Sequence, residues 1–324
     1  MFGLGLLRRI AVLVALAAVV AAAACTSGGN GGQEPGTPTP VGSPSAAAAS
    51  QGSAVYLSLG DSIQYGCCGD VGRSSGELFR QYLAQRLNRP VEWVTLADNG
   101  TAESFIRLGS GEPSQLDRAV ALLGTLSEQG RPAVAITMCV GGNDFLFLTD
   151  PDTGRPCHER LASGCGPLFR ATLERYKNQL DLILTTLNRA KDPSTPLLLL
   201  NYYNTWDYGE ITDEYISAES GLVFINQAIS EAAKKHGAFL VDIYPLFKGK
   251  AREYISGVDP SDAGHRLIAE AYQEVYESLP PDFVEPFALV PTSVAPTPSP
   301  TEAATCRPKV TATSTPAVAT VEGT

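Results

Sequence analysis

Three short segments carry residue types that could perform acyl-transfer chemistry, and each closes an apolar run. Leu59-Gly60-Asp61-Ser62-Ile63 follows Val55–Leu59, Ala97-Asp98-Asn99-Gly100-Thr101 follows Val91–Leu96, and Val140-Gly141-Gly142-Asn143-Asp144 follows Ala133–Val140. Ser62 offers a hydroxyl nucleophile beside a glycine that permits a sharp turn. Gly100 can bring a backbone N–H close to a bound oxyanion, and Asn143 adds a side-chain amide donor. Acyl transfer needs this set: an attacking oxygen and preorganised donors for the tetrahedral intermediate. Singly, each segment is ordinary, since Asp-Ser starts helices and Asn-Gly makes turns. Three in succession at the ends of apolar runs form a coincidence that chemistry explains better.

A serine nucleophile also needs a base, usually a histidine oriented by a carboxylate. The chain has three histidines. His158 lies in a polar, cysteine-flanked insertion and reads as a surface residue. His236, in Lys234-Lys235-His236-Gly237, reads as a cation at a helix C-terminus. His265 closes Asp259-Pro260-Ser261-Asp262-Ala263-Gly264-His265, after the last apolar run and at the start of a helical pattern. Residues i and i+3 share a helix face, so Asp262 can orient His265.

These groups meet only if the apolar runs are neighbouring strands. The strand candidates are Val55–Leu59, Val91–Leu96, Ala133–Val140, Leu197–Tyr202 and Phe239–Ile243. Between and after them lie helical patterns at Glu77–Leu87, Gln115–Leu126, Leu168–Ala190, Asp213–His236 and Asp262–Leu279. Continuous apolar runs suit strands buried on both faces, which means a parallel sheet. Alternation with helices gives an α/β fold: a three-layer α/β/α sandwich with a five-stranded parallel sheet, over residues 54–287. Ligands of such sheets bind beyond the carboxyl ends of the strands, where all three segments fall.

Gly60-Asp61-Ser62, Gly100, Gly142-Asn143-Asp144 and the closing Asp259–His265 segment occur in the order of the SGNH (GDSL-type) esterases, and the chain resembles that family over nearly the whole domain. The resemblance implies a flavodoxin-like SGNH-hydrolase fold, Ser62 as nucleophile, and an oxyanion hole from the Ser62 N–H, the Gly100 N–H and the Asn143 side chain. It implies hydrolysis of lipid, short-acyl or acylated-sugar esters, with no cofactor and no metal. The base is where the match strains. Family members commonly carry Asp-x-x-His-Pro; aligned on Pro260, Asp259 stands at the catalytic histidine and Ser256 at its aspartate. Three readings stay open: His265 as base from a shifted position with Asp262 or Asp259 as orienter, Asp259 as a replacement base, or an impaired site that binds without turnover. Tyr65, Phe105 and the run Tyr202-Tyr203-Trp206-Tyr208 are candidates to line an acyl or sugar pocket.

The ends of the chain set its expected location. Arg8 and Arg9 precede an apolar run from Ile10 to Ala24 that ends in Ala22-Ala23-Ala24-Cys25. Residues 1–25 therefore read as a lipoprotein signal peptide, with Cys25 as the lipidated residue. Residues 26–53 and 288–324 are rich in Gly, Pro, Ser, Thr and Ala and read as a disordered tether and tail. The expected location is outside the cytoplasm, held on the membrane by lipid. Export permits disulfides. Of the seven cysteines, Cys25 is assigned to lipid, Cys306 lies in the tail, Cys139 reads as a buried thiol, and Cys67, Cys68, Cys157 and Cys165 are the disulfide candidates. Closing the short loop Cys157–Cys165 is the simplest pairing; Cys67 and Cys68 would pin the loop after the nucleophile. The net charge of -10 and the absence of a basic cluster argue against nucleic acid as a partner. A monomer acting on a small ester or acylated glycan is expected.

Overall fold

Apolar runs bury both faces of the three central strands, and with a half-buried strand at each edge they pair into one parallel sheet of order β2-β1-β3-β4-β5. The structure is a computed structural model, and it describes residues 53–107, 109, 111–151, 153–157, 165–284 and 287. The expected signal peptide with Cys25, the tether and the tail lie outside the described residues, as does His158. The strands are β1 (Ala54–Gly60), β2 (Val91–Thr95), β3 (Ala133–Cys139), β4 (Leu197–Leu200) and β5 (Phe239–Val241). Every residue of β1, β3 and β4 is buried, as the unbroken apolar runs require.

Helices fill the connections: α1 (Ser62–Tyr65), α2 (Ser75–Arg86), α3 (Ala102–Ile106), α4 (Gln115–Glu128), α5 (Gly142–Leu146), α6 (Cys165–Ala190), α7 (Asp213–His236), α8 (Tyr244–Phe247), α9 (Ala251–Tyr254) and α10 (Asp262–Glu277). Helix α2 packs with α10, while α6 packs with both α4 and α7, completing the three layers. A two-stranded antiparallel hairpin, β6 (Ile255–Ser256) and β7 (Asp259–Pro260), precedes α10 and pairs Ser256 with Asp259.

Strands β4 and β5 each stop two residues earlier than their apolar runs suggest. Past Leu200 and Val241 the ladder is carried on by side-chain amides. Asn201 donates to Asp242 at 2.6 Å and accepts from the Ile243 N–H at 2.8 Å. Asn226 brackets Tyr202 from both sides, accepting its N–H at 3.0 Å and donating to its carbonyl at 2.8 Å. Hydrophobicity does not distinguish an amide that imitates a strand from the strand itself. The short helices α1, α3 and α5 also leave no periodic trace, because each is a single turn bent over a strand end.

The turn at the end of β1 is constrained most tightly. The Asp61 N–H donates to the Cys139 carbonyl at 2.8 Å, drawing the β1 and β3 tips together. Gly60 passes that carbonyl with φ +123°, and a Cβ there would sit 1.7 Å from it. Gln115 of α4 grips the same glycine, accepting from its N–H and donating to its carbonyl at 3.0 Å. Below the turn, a buried polar network holds α1. Ser58 donates to the Gln64 carbonyl at 3.0 Å, Thr137 donates to the Gln64 side chain at 2.8 Å, and Gln64 donates to Tyr272 of α10. Gly60→Ala should therefore fail to give native protein. The expected loss exceeds about 4 kcal/mol, since neither clash nor backbone conformation can relax independently, and thermal unfolding of any soluble fraction would measure it.

Candidate active site

Ser62 opens α1 immediately past β1, with Asp61 as the N-cap that accepts from the Ile63 N–H at 3.2 Å. Its Oγ donates to Asp259 Oδ1 at 2.7 Å. Asp259 reaches it from the β6–β7 hairpin, 197 residues away in sequence. Ser62, Asn143 and Asp259 line one cavity of about 140 Å³. Its remaining walls are mainly apolar and include Phe145, Leu148, Phe169, Trp206 and Leu222. Tyr202, Tyr203 and Trp206 line it as expected of the aromatic run; Phe105 is instead buried in the core, and Tyr65 and Tyr208 are exposed.

The oxyanion groups come together only in part. Asn143 sits on α5, and its Nδ2 donates to the Gly100 carbonyl at 2.9 Å and the Asn99 carbonyl at 3.1 Å. The tips of β2 and β3 are therefore adjacent. The Gly100 N–H, expected to face the oxyanion, instead donates to the Asp98 carboxylate at 2.8 Å. Asp144 secures the arrangement by accepting from the Ala102 N–H at 2.7 Å, which ties α3 to α5. Burial raises the Asp144 carboxyl, and the Ala102 N–H pulls it back down.

The structure does not bring His265 to Ser62, which corrects the shifted-triad reading. The ring is fully buried. Its Nε2 lies 2.8 Å from the Cys67 carbonyl, so that nitrogen carries the proton. Its Nδ1 then accepts from the Ser75 N–H at 3.3 Å, with the Ser75 hydroxyl equally near. Burial lowers the pKa of this imidazole, with the Cys67 hydrogen bond opposing, so it is held neutral. Asp262 does not orient it either. It accepts from the Asp70 N–H at 2.8 Å and pairs with Arg73 at 2.9 Å, and those contacts lower its pKa. His265 and Asp262 thus fasten the loop that follows α1, while Asp259 is the carboxylate that meets Ser62. His236, read as a helix-end cation, does close α7, where it meets Asp181 at 2.6 Å.

Sequence reasoning missed Tyr202 as the organiser behind Ser62. Its hydroxyl donates to Asp61 Oδ2 at 2.6 Å and accepts from the Gly142 N–H at 2.7 Å. One phenol therefore links the Ser62 turn after β1 to the Asn143 turn after β3. A tyrosine just past a strand end was the available signal, but its partners are 141 and 60 residues away. Burial pushes the Asp61 carboxyl up to about 7, against the hydrogen bonds from Tyr202 and Ile63.

Cys157 and Cys165 form a disulfide and Cys139 is a buried free thiol, while the other two disulfide candidates, Cys67 and Cys68, are free thiols. Among the described residues, one group brings metal-ligating atoms within 4.8 Å of one another: Cys67, Cys68 and Asp259. No described helix is long and apolar enough to cross a membrane.

The sequence profile of the GDSL-like lipase/acylhydrolase family matches residues 58–267. The spore germination lipase LipC of Bacillus licheniformis is 24% identical over 221 residues, covering 66% of this chain and 92% of that protein. The crystal structure of the lipase Lip_vut3 from a goat rumen metagenome superposes with a TM-score of 0.53 at 20% identity, over 69% of this chain and 97% of that one.

Asp61 gives this site a measurable pH signature. Between the ordinary aspartate range and about 7 the folded chain keeps a proton that the unfolded chain has lost. Wild-type stability should then fall, relative to Asp61→Asn, as pH rises through that window, by about 1.4 kcal/mol per pH unit. The gap should level off above about 7; denaturant unfolding of both proteins between pH 4 and 8 measures it.

Proposed function

This chain belongs to the GDSL-like lipase/acylhydrolase family and is a carboxylic ester hydrolase, and on that premise we propose that it works through an acyl-enzyme on Ser62, with Asp259 as the general base. The observation that carries this reading is the 2.7 Å hydrogen bond from Ser62 Oγ to Asp259. Asp259 accepts the hydroxyl proton as Oγ attacks the acyl carbon. The tetrahedral oxyanion is met by the Ser62 N–H, and by the Asn143 side-chain amide once it gives up its 3.1 Å bond to the Asn99 carbonyl. Collapse expels the alcohol, which takes the proton back from Asp259. Water then enters with the same base and releases the acid. Gly100 joins the oxyanion hole only when Asp98 turns away from its N–H.

A carboxylate is a weaker base than an imidazole, so turnover should be slower than an imidazole would give. The acyl group goes to the apolar cavity. At about 140 Å³ it has the capacity of cavities that hold a benzene ring. This favours short acyl chains, of about six carbons, on a lipid, sugar or simple alcohol. The chain's first residues support an envelope location: lipid on Cys25 would hold the domain on a membrane through residues 26–53.

Ser62→Ala should abolish hydrolysis of p-nitrophenyl butyrate and labelling by a fluorophosphonate probe. Asp259→Asn should lower kcat by about 100-fold or more. His265→Gln should lower the melting temperature yet keep kcat within about tenfold of wild type, because that ring holds a loop rather than the proton. An intact Ser62→Ala variant with wild-type turnover sinks the nucleophile; a folded His265→Gln variant as inactive as Ser62→Ala sinks the base. Asp259→His combined with Ser256→Asp should rebuild an imidazole with its orienter across the hairpin and raise kcat by about tenfold or more. For the location, Cys25→Ser should move the protein from the membrane pellet to the soluble fraction.

A further inference from the structure

We propose that Cys67 and Cys68 are a redox pair that closes to a disulfide between adjacent residues, and that its state sets the basicity of Asp259. The inference rests on Asp259 as the base, and its covalent part stands without it. The two sulfurs lie 3.0 Å apart. Thiolates sharing one tetrahedral zinc at about 2.3 Å each would be roughly 3.8 Å apart, so the pair is too close for a common metal and near the approach that bonding needs. Adjacent α-carbons lie only about 3.8 Å apart, below the usual span of a disulfide. Such a ring forms only where the backbone already turns both side chains to one side.

This backbone does so. Cys68 occupies the left-handed region at φ +66°, which a residue with a side chain rarely adopts. Neighbouring contacts hold it there. His265 donates to the Cys67 carbonyl, and Gly69 lies so close to that ring that a Cβ would come within 2.9 Å of it. Asp70 is tied by its N–H to Asp262. The buried histidine that the catalytic geometry leaves unused thus helps to present two sulfurs beside the base.

The step balances with a disulfide oxidant of the kind that closes Cys157–Cys165. The exposed Cys68 attacks the oxidant as thiolate, forming a mixed disulfide and releasing one thiol. Cys67 then displaces the second thiol from Cys68. Two S–H bonds are lost, one S–S bond forms, and two electrons and two protons leave with the reduced oxidant. Burial and the neighbouring Cys68 and Asp259 push the Cys67 thiol up to about 12, so Cys67 acts second and gives up its proton only as it attacks the mixed disulfide. In the open form, the Cys68 thiol donates to Asp259 Oδ2 at 3.9 Å, while Ser62 donates to the other carboxylate oxygen. Closing the ring removes that donor and leaves the carboxylate a better proton acceptor.

The test uses the full chain, equilibrated with oxidised glutathione, denatured and alkylated with iodoacetamide before peptide mapping. The peptide holding Cys67 and Cys68 should carry no alkyl group and weigh two hydrogens less than the dithiol. Mild phosphine should open this ring and alkylate both residues before Cys157–Cys165 is touched, because short-span disulfides are more reducible. The same reduction should lower p-nitrophenyl butyrate turnover by about two- to fivefold, the worth of one weak hydrogen bond, and a Cys67→Ser, Cys68→Ser variant should not respond to it. Two alkyl groups without reductant, a mixed disulfide with glutathione, or a bridge from either residue to Cys306 would overturn the pair. Unchanged wild-type turnover on reduction would overturn its hold on Asp259. Failure of Ser62 or Asp259 as catalytic groups would show in their own variants and leave the mass result standing.

Discussion

The tip of β1 touches the tip of β3 at a point where no side chain fits, and the site is built outward from that contact. The Asp61 N–H reaches the Cys139 carbonyl only because Gly60 lies flat against it. Two neighbouring parallel strands are thereby locked at their carboxyl ends, with Ser62 leaving one and Gly142-Asn143 leaving the other. Gln115 fixes the glycine from the helical layer, and Tyr202 fixes the next turn from the β4 end. Each of these partners is buried, so each hydrogen bond is costly to lose. The rigidity of the Ser62 turn is thus borrowed from the sheet and not generated by the loop that carries it.

The partner of Ser62 is mounted differently. Asp259 comes from a small hairpin outside the main sheet, opposite Ser256. Presentation from a separate element lets the residue type change without disturbing the strand tips. In exchange, the neighbouring histidine is drawn into a structural role. Its buried ring is kept neutral and spans the loop after α1 and the start of α2 through Cys67 and Ser75. The charged partners Asp262 and Arg73 close the same loop from its exposed side. An imidazole and a carboxylate near a serine thus need not form a triad; which nitrogen carries the proton, and to whom it is given, decides the matter.

Much of this was legible before any coordinates. Unbroken apolar runs such as Ala133–Val140 announce strands covered on both faces, because a half-exposed strand would alternate. Gly60-Asp61-Ser62 and Gly141-Gly142-Asn143 announce strand-end turns, because glycine is placed where a backbone must pass close to another group. The short span from Cys157 to Cys165 announces its own closure. These are local facts, and local chemistry is written in consecutive residues. The destinations of long-range hydrogen bonds are not. Ser62 finds Asp259, Asp61 finds Tyr202, and His265 finds Cys67, each across more than a hundred positions. By itself the sequence determined the layered fold and the class of chemistry, since periodicity and turn residues act over a few positions. Only the tertiary structure decided which carboxylate meets the serine and which histidine is kept from it, because spacing along a chain does not state where the chain comes back to itself.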